Sequence, residues 1–211
     1  MQTILCFGDS LTWGYNPRDA SRYPFAERWP GILQAEAGNN VRVIEEALSG
    51  RTAVTESWVL PNRSGRAMLE PLLESHAPLD AFICMLGIND IGPTYKLTPA
   101  EIAFGCATLI WTVQKSHAGP GGGVPQILLV APHPLGKVSG IMELFYRGGE
   151  DASRQLAAAY ATIATACGCH FLDAGQFVRA SDVDGVHLDP DAHRRLGIAI
   201  ANVIVPLLAA R

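Results

Sequence analysis

Five short apolar runs punctuate the chain, at Thr3–Phe7, Val41–Glu45, Ala81–Leu86, Gln126–Ala131 and Cys169–Leu172. Apart from the charged flank of the second, they are nearly continuous rather than alternating, the pattern of strands buried on both faces. Longer stretches with apolar residues at helical spacing lie between them. The clearest start is Thr98-Pro99-Ala100-Glu101: Thr98 caps, Pro99 suits the first helical position, and Glu101 completes a capping box. That helix is predicted to run to about Ser116, with others near Ala26–Glu36, Gly65–Ser75, Asp151–Ala166 and Asp189–Ala209. Strand–helix alternation of this kind predicts a three-layer α/β/α, flavodoxin-like fold around a five-stranded parallel sheet with right-handed crossovers. No internal repeat is present. Gly119-Pro120-Gly121-Gly122-Gly123 reads as a loop rather than a linker, so residues 1–211 are expected to form one domain.

Composition narrows the class. The 211 residues are 48% apolar and 17% charged, enough for a buried core and too little charge for disorder. Sixteen Lys and Arg against twenty Asp and Glu give a net charge of −4 with no basic run, which argues against a nucleic-acid partner. The N-terminus shows no secretory pattern, and no stretch approaches the ~20 apolar residues of a membrane span. Five cysteines, an odd number, fit reduced thiols. The expectation is a cytoplasmic protein that does not engage a membrane.

In parallel sheets, ligands sit beyond the carboxyl ends of the strands, so the chemistry is sought just after each run. There stand Gly8-Asp9-Ser10-Leu11-Thr12-Trp13-Gly14, Ala47-Leu48-Ser49-Gly50-Arg51, Gly87-Ile88-Asn89-Asp90 and, shortly after the fifth run, Asp182-Val183-Asp184-Gly185-Val186-His187. These supply what a serine acyl transfer needs. A serine hydroxyl requires a base, which imidazole provides near neutral pH, and the imidazole requires an acceptor on its other nitrogen. Asp184 and His187 are three residues apart, so one turn can bring both to the same side. The amides of Ser10 and Gly50 and the Asn89 side chain are three candidate donors to an oxyanion.

Phe7-Gly8-Asp9-Ser10-Leu11-Thr12, Gly87-Ile88-Asn89-Asp90 and Asp184-Gly185-Val186-His187 together resemble the GDSL or SGNH hydrolases, whose four blocks contribute Ser, Gly, Asn and His. Ile4–Gly14, Val43–Thr52, Leu79–Asp90 and Phe171–Asp184 are similar to the bacterial arylesterase and acyltransferase branch. The resemblance implies Ser10, Asp184 and His187 as catalytic residues, and Ser10, Gly50 and Asn89 as the oxyanion hole. It implies Trp13 as a wall of the acyl pocket and no metal or organic cofactor. The implied activity is hydrolysis of small aryl or short-chain acyl esters, with acyl transfer to alcohols or peroxide as an extension. Thioesters, lysophospholipids and acetylated sugars remain alternative substrates, and a non-catalytic anion-binding module is the rival from another class. A homo-oligomer is also expected, because the branch includes oligomers and the mean hydropathy is positive at +0.16.

Several residues keep two readings. Asp182 is the rival to Asp184 as the acid. Asp9 is read as an anchor for the loop. His133, in Ala131-Pro132-His133-Pro134-Leu135, departs from the expected Pro-rich turn and either lines the pocket or does not. His76, His117 and His193 are read as structural, and Cys167-Gly168-Cys169-His170 as packing rather than a metal site. Gly119–Gly123 precedes a strand and has no Lys-Ser/Thr after it, unlike a phosphate loop. Trp58, Phe145 and Tyr146 sit in long connections and are read as pocket rim, subunit contact or local packing.

Overall fold

The computed structural model describes residues 1–57 and 59–210, so Trp58 lies outside the described residues. In chain order the elements are β1 (Gln2–Gly8), α1 (Ser10–Trp13), α2 (Trp29–Ala37), β2 (Val41–Ala47), α3 (Gly65–His76), β3 (Ala81–Met85), α4 (Pro99–Lys115), β4 (Gln126–Ala131), α5 (Glu143–Tyr146), α6 (Glu150–Cys167), β5 (His170–Asp173) and α7 (Pro190–Ala209). The five strands pair in parallel in the order β2-β1-β3-β4-β5. That is the flavodoxin-like order, whose topological switch lies between β1 and β3. Helix α2 packs on α7, whereas α4 packs on both α3 and α6, forming the two outer layers. The continuously apolar runs are the inner strands. Every residue of β3 is buried, while β2 and β5, at the edges, are only partly so.

All five predicted strands and five longer helices are present, with shifted ends. Thr98 accepts from the Glu101 amide at 3.2 Å while the Glu101 carboxylate accepts from the Thr98 amide at 2.8 Å, completing the capping box. Helix α2 starts at Trp29 rather than Ala26, because Phe25–Glu27 form a separate 3₁₀ turn and Arg28 is extended. Pro30 in the first turn marks that later start. The one-turn helices α1 and α5 are too short to leave a periodic signal. Helix α7 departs from the expectation that no stretch resembles a membrane span. It has 20 residues, and its most apolar window has mean hydropathy 1.3, but half of that window is buried inside the protein. Its apolar residues serve the core. Replacing Thr98 with Ala should lower the unfolding free energy in urea by about 1 kcal/mol and leave ester turnover unchanged.

Candidate active site

Strand pairing brings three of the polar blocks to one edge. Gly8 at the end of β1 is in register with Ala47 of β2 and Met85 of β3, so Ser10, Gly50 and Asn89 follow neighbouring strand ends. Asp9 caps α1, its carboxylate accepting from the Leu11 amide at 2.9 Å, and this turn starts the helix at Ser10. Gly50 has φ +80°, the left-handed region that favours glycine. Among the described residues, neither the Ser10 nor the Gly50 amide has an intramolecular acceptor.

His187 and Asp184 lie in the connection from β5 to α7, which the 132–139 segment supports. The Gly136 amide donates to the Gly185 carbonyl at 2.8 Å, and the Ser139 amide to the Asp184 carbonyl at 3.1 Å. His187 Nε2 stands 3.0 Å from Ser10 Oγ, and its Nδ1 stands 2.6 Å from Asp184 Oδ2. The other Asp184 oxygen accepts the backbone amides of Val186 and His187, both at 2.9 Å. Burial pushes the Asp184 carboxyl up, but the hydrogen bond and charge of His187 and these two amides outweigh it, leaving it below the usual range. Asp182 is exposed, and the carboxylate that faces the imidazole is that of Asp184.

Arg51 ties the strand ends together. Its guanidinium donates to the Gly8 carbonyl at 3.0 Å and to the Glu46 carbonyl, and it lies 4.4 Å from the centre of the Phe7 ring. The Arg51 carbonyl accepts from Asn89 Nδ2 at 2.9 Å, and Asp9 Oδ2 accepts from the same nitrogen at 3.2 Å. Burial raises the carboxyls of Asp9 and Asp90 to about 7 each. Asp90 sits beneath the site, accepting from the Ala53 amide at 2.9 Å.

A cleft of about 450 Å³ opens over Ser10, Gly50, Asn89 and His187. Its walls include Tyr15, Leu60, Tyr95, Phe145 and Tyr146. Trp13 is not among the lining residues; its ring lies under the Arg22 guanidinium, 5.0 Å from it, at the far end of the turn that begins at Ser10. The aromatic neighbour of the imidazole is Tyr15, whose ring centre is 4.2 Å from that of His187. Tyr146 donates its hydroxyl proton to Asn89 Oδ1 at 2.6 Å. Tyr15, Arg51 and this role of Tyr146 carry no local sequence signal, since each depends on contacts between separate segments.

The remaining histidines divide. His76 meets the Glu46 carboxylate at 2.7 Å at the end of α3, and His170 is exposed beside Gln126 rather than packed. His133 is buried and does not line the cleft. Its Nδ1 donates to the Pro134 carbonyl at 3.0 Å, while its Nε2 has no hydrogen-bond partner among the described residues. His193 is buried beside Tyr23, and among the described residues neither ring nitrogen has a hydrogen-bond partner. Burial drives both imidazoles towards the neutral form, His133 to about 4 and His193 to about 3. All five cysteines are free thiols.

An aspartate, an imidazole and a serine in line at the carboxyl edge of a parallel sheet, flanked by unused amides, form the layout of a serine acyl hydrolase. The chain belongs to the GDSL-like lipase/acylhydrolase family, whose model matches residues 6–195. It is 36% identical to the aryl esterase of M. smegmatis, over 98% of this chain and 100% of that one, with a TM-score of 0.94. It is 37% identical to Est24, a carbohydrate acetylesterase from Sinorhizobium meliloti, over 98% of this chain and 100% of that one, with a TM-score of 0.93. No curated protein sequence matches it. The protein is a carboxylic ester hydrolase of the GDSL serine esterase type, which removes the non-catalytic binding module as a reading.

The buried histidine next to the site weakens the fold in acid. Below pH 6.5 an unfolded His133 takes up a proton that the folded one, held at about 4, refuses, so stability is lost as pH falls through that window. Asp9 and Asp90 act in the opposite sense: folded, they keep a proton that the unfolded chain gives up above 3.8, and stability falls as pH rises towards 7. Replacing His133 with Phe should therefore reduce the stability lost between pH 6.5 and 4, by roughly 3 kcal/mol, as read by urea denaturation across that range.

Proposed function

We propose that Ser10 is the nucleophile of an esterase acting on small aryl or short-chain acyl esters, with His187 as its base and Asp184 as the partner that orients the imidazole. The observation that carries this reading is the unbroken line from Asp184 Oδ2 to His187 at 2.6 Å and from His187 to Ser10 Oγ at 3.0 Å, at the floor of the cleft. Asp184 accepts from Nδ1, which leaves Nε2 free to take the Ser10 proton. As Ser10 Oγ bonds to the ester carbon, the carbonyl oxygen becomes an oxyanion, held by the Ser10 and Gly50 amides and Asn89 Nδ2. His187 then returns the proton to the leaving alcohol or phenol. Water attacks the acyl-enzyme, gives its proton to His187, and releases the acid with Ser10 restored. An alcohol or peroxide in place of that water would yield an acyl-transfer product.

The preference for small esters over long-chain lipids would come from the mouth of the cleft. Val59, Leu60, Leu144 and Phe145 line its mouth and are themselves exposed, Leu144 by 73%. We infer that a second copy of the chain covers this apolar rim and narrows the entrance, giving a homo-oligomer. Free thiols and the acidic charge balance support a cytoplasmic location, with neither nucleic acid nor membrane as partner. Acetylated sugars are the second substrate class to assay, given the acetylesterase neighbour.

Ser10→Ala should abolish covalent labelling by an organophosphate together with nearly all hydrolysis; undiminished labelling would remove Ser10 as the nucleophile. Acetate and butyrate aryl esters should turn over far faster than C12 esters, and light scattering should show an oligomer. A monomer that hydrolyses long chains equally well would sink the narrowed mouth and the assembly together.

A further inference from the structure

We propose that Tyr146 is a positioning residue for oxyanion stabilisation: its hydroxyl locks the Asn89 carboxamide and strengthens that amide as a donor to the substrate oxygen. The inference rests on the reading of Asn89 as part of the oxyanion hole and adds a residue that acts through it.

A carboxamide has nearly the same shape when its oxygen and nitrogen are exchanged, so only its partners decide which end faces the site. Around Asn89 the assignment is determined. The Arg51 carbonyl can only accept and stands 2.9 Å from Nδ2, with Asp9 Oδ2 at 3.2 Å from the same nitrogen. That leaves Oδ1 for Tyr146, whose hydroxyl is 2.6 Å away. Burial, reinforced by the charges of Asp9, Asp184 and Asp90, pushes the phenol well above its ordinary value, so it stays protonated and donates throughout the working range.

This bond does more than hold a rotamer. Both hydrogens of Nδ2 already have acceptors, so an oxyanion has to draw one away, and the longer contact to Asp9 is the weaker competitor. A proton donated to Oδ1 withdraws electron density from the amide nitrogen and makes its hydrogens better donors. The gain grows with the charge on the accepting oxygen. It is therefore larger for the tetrahedral oxyanion than for the bound ester, and it should enter kcat rather than KM.

The fold holds the two residues together. Tyr146 ends the one-turn helix α5, which presses on the loop that carries Asn89; a Cβ at Gly92 would stand 2.4 Å from the Phe145 carbonyl oxygen. Tyr146 is 5% exposed, and among the described residues Asn89 is the only hydrogen-bond partner of its hydroxyl. Phenylalanine would fill the same space without the donor.

The test is a double-mutant cycle on a p-nitrophenyl acetate assay, using Tyr146→Phe, Asn89→Ala and the double variant, each checked for an unaltered melting transition. Asn89→Ala should lower kcat by roughly 10²–10³. Tyr146→Phe should lower kcat by about tenfold, with KM within about twofold, the scale of one hydrogen bond. In the Asn89→Ala background, Tyr146→Phe should have no further effect. An unchanged kcat in Tyr146→Phe would overturn the proposal and leave the oxyanion reading of Asn89 intact. A tenfold loss that persists without Asn89 would assign Tyr146 to packing and overturn it too. If Asn89→Ala itself retained full kcat, the oxyanion reading would fall first and the role of Tyr146 with it.

Discussion

Three parallel strand ends held at one level are what the rest of this molecule depends on. β1 pairs with β2 on one side and β3 on the other, so that Gly8 faces both Ala47 and Met85. Neighbouring strands stand about 4.8 Å apart, so donors on three successive loops meet only if those loops fold back towards one another. Arg51 imposes that fold. Its side chain bonds the carbonyls of Gly8 and Glu46, and its own carbonyl receives Asn89. Burying a guanidinium is costly, and desolvation pulls its own pKa down, but two carbonyls and the face of Phe7 offset part of that cost.

The imidazole reaches this edge from the far side of the sheet. β5 lies three places from β1 in the strand order, so the connection before α7 has to run back across the carboxyl edge. The backbone bonds from Gly136 and Ser139 support it there, and the remaining oxygen of Asp184 holds the amides of Val186 and His187. The same carboxylate thus shapes the turn and faces the ring. Separating these duties would need a second anchor for a loop that has few alternatives.

Around this frame lies an unusual density of buried ionisable groups. Asp9 and Asp90 are lifted to about 7, while His133 and His193 are lowered to about 4 and 3. All four favour their neutral forms because burial penalises charge, and their contributions to pH-dependent stability oppose one another over much of the acidic range.

The amino-acid sequence by itself determined the layered fold and the polar blocks. Buried parallel strands must be continuously apolar, a capping box declares itself within four residues, and the turns after β1, β2 and β3 consist of small and polar residues. It also contained the spacing of Asp184 and His187, because one turn joins them. Local pattern carries no information about side chains that meet only after folding. The family resemblance points Trp13 into the pocket, yet it is not among the residues that line the cleft and its ring is covered by the Arg22 guanidinium; Tyr15 stands against His187 instead. His133 is buried away from the cleft, and Tyr146 reaches Asn89 from a one-turn helix with no periodic signature. Those outcomes were decided by tertiary structure, because each is a matter of burial and side-chain direction set by packing, which no local pattern encodes.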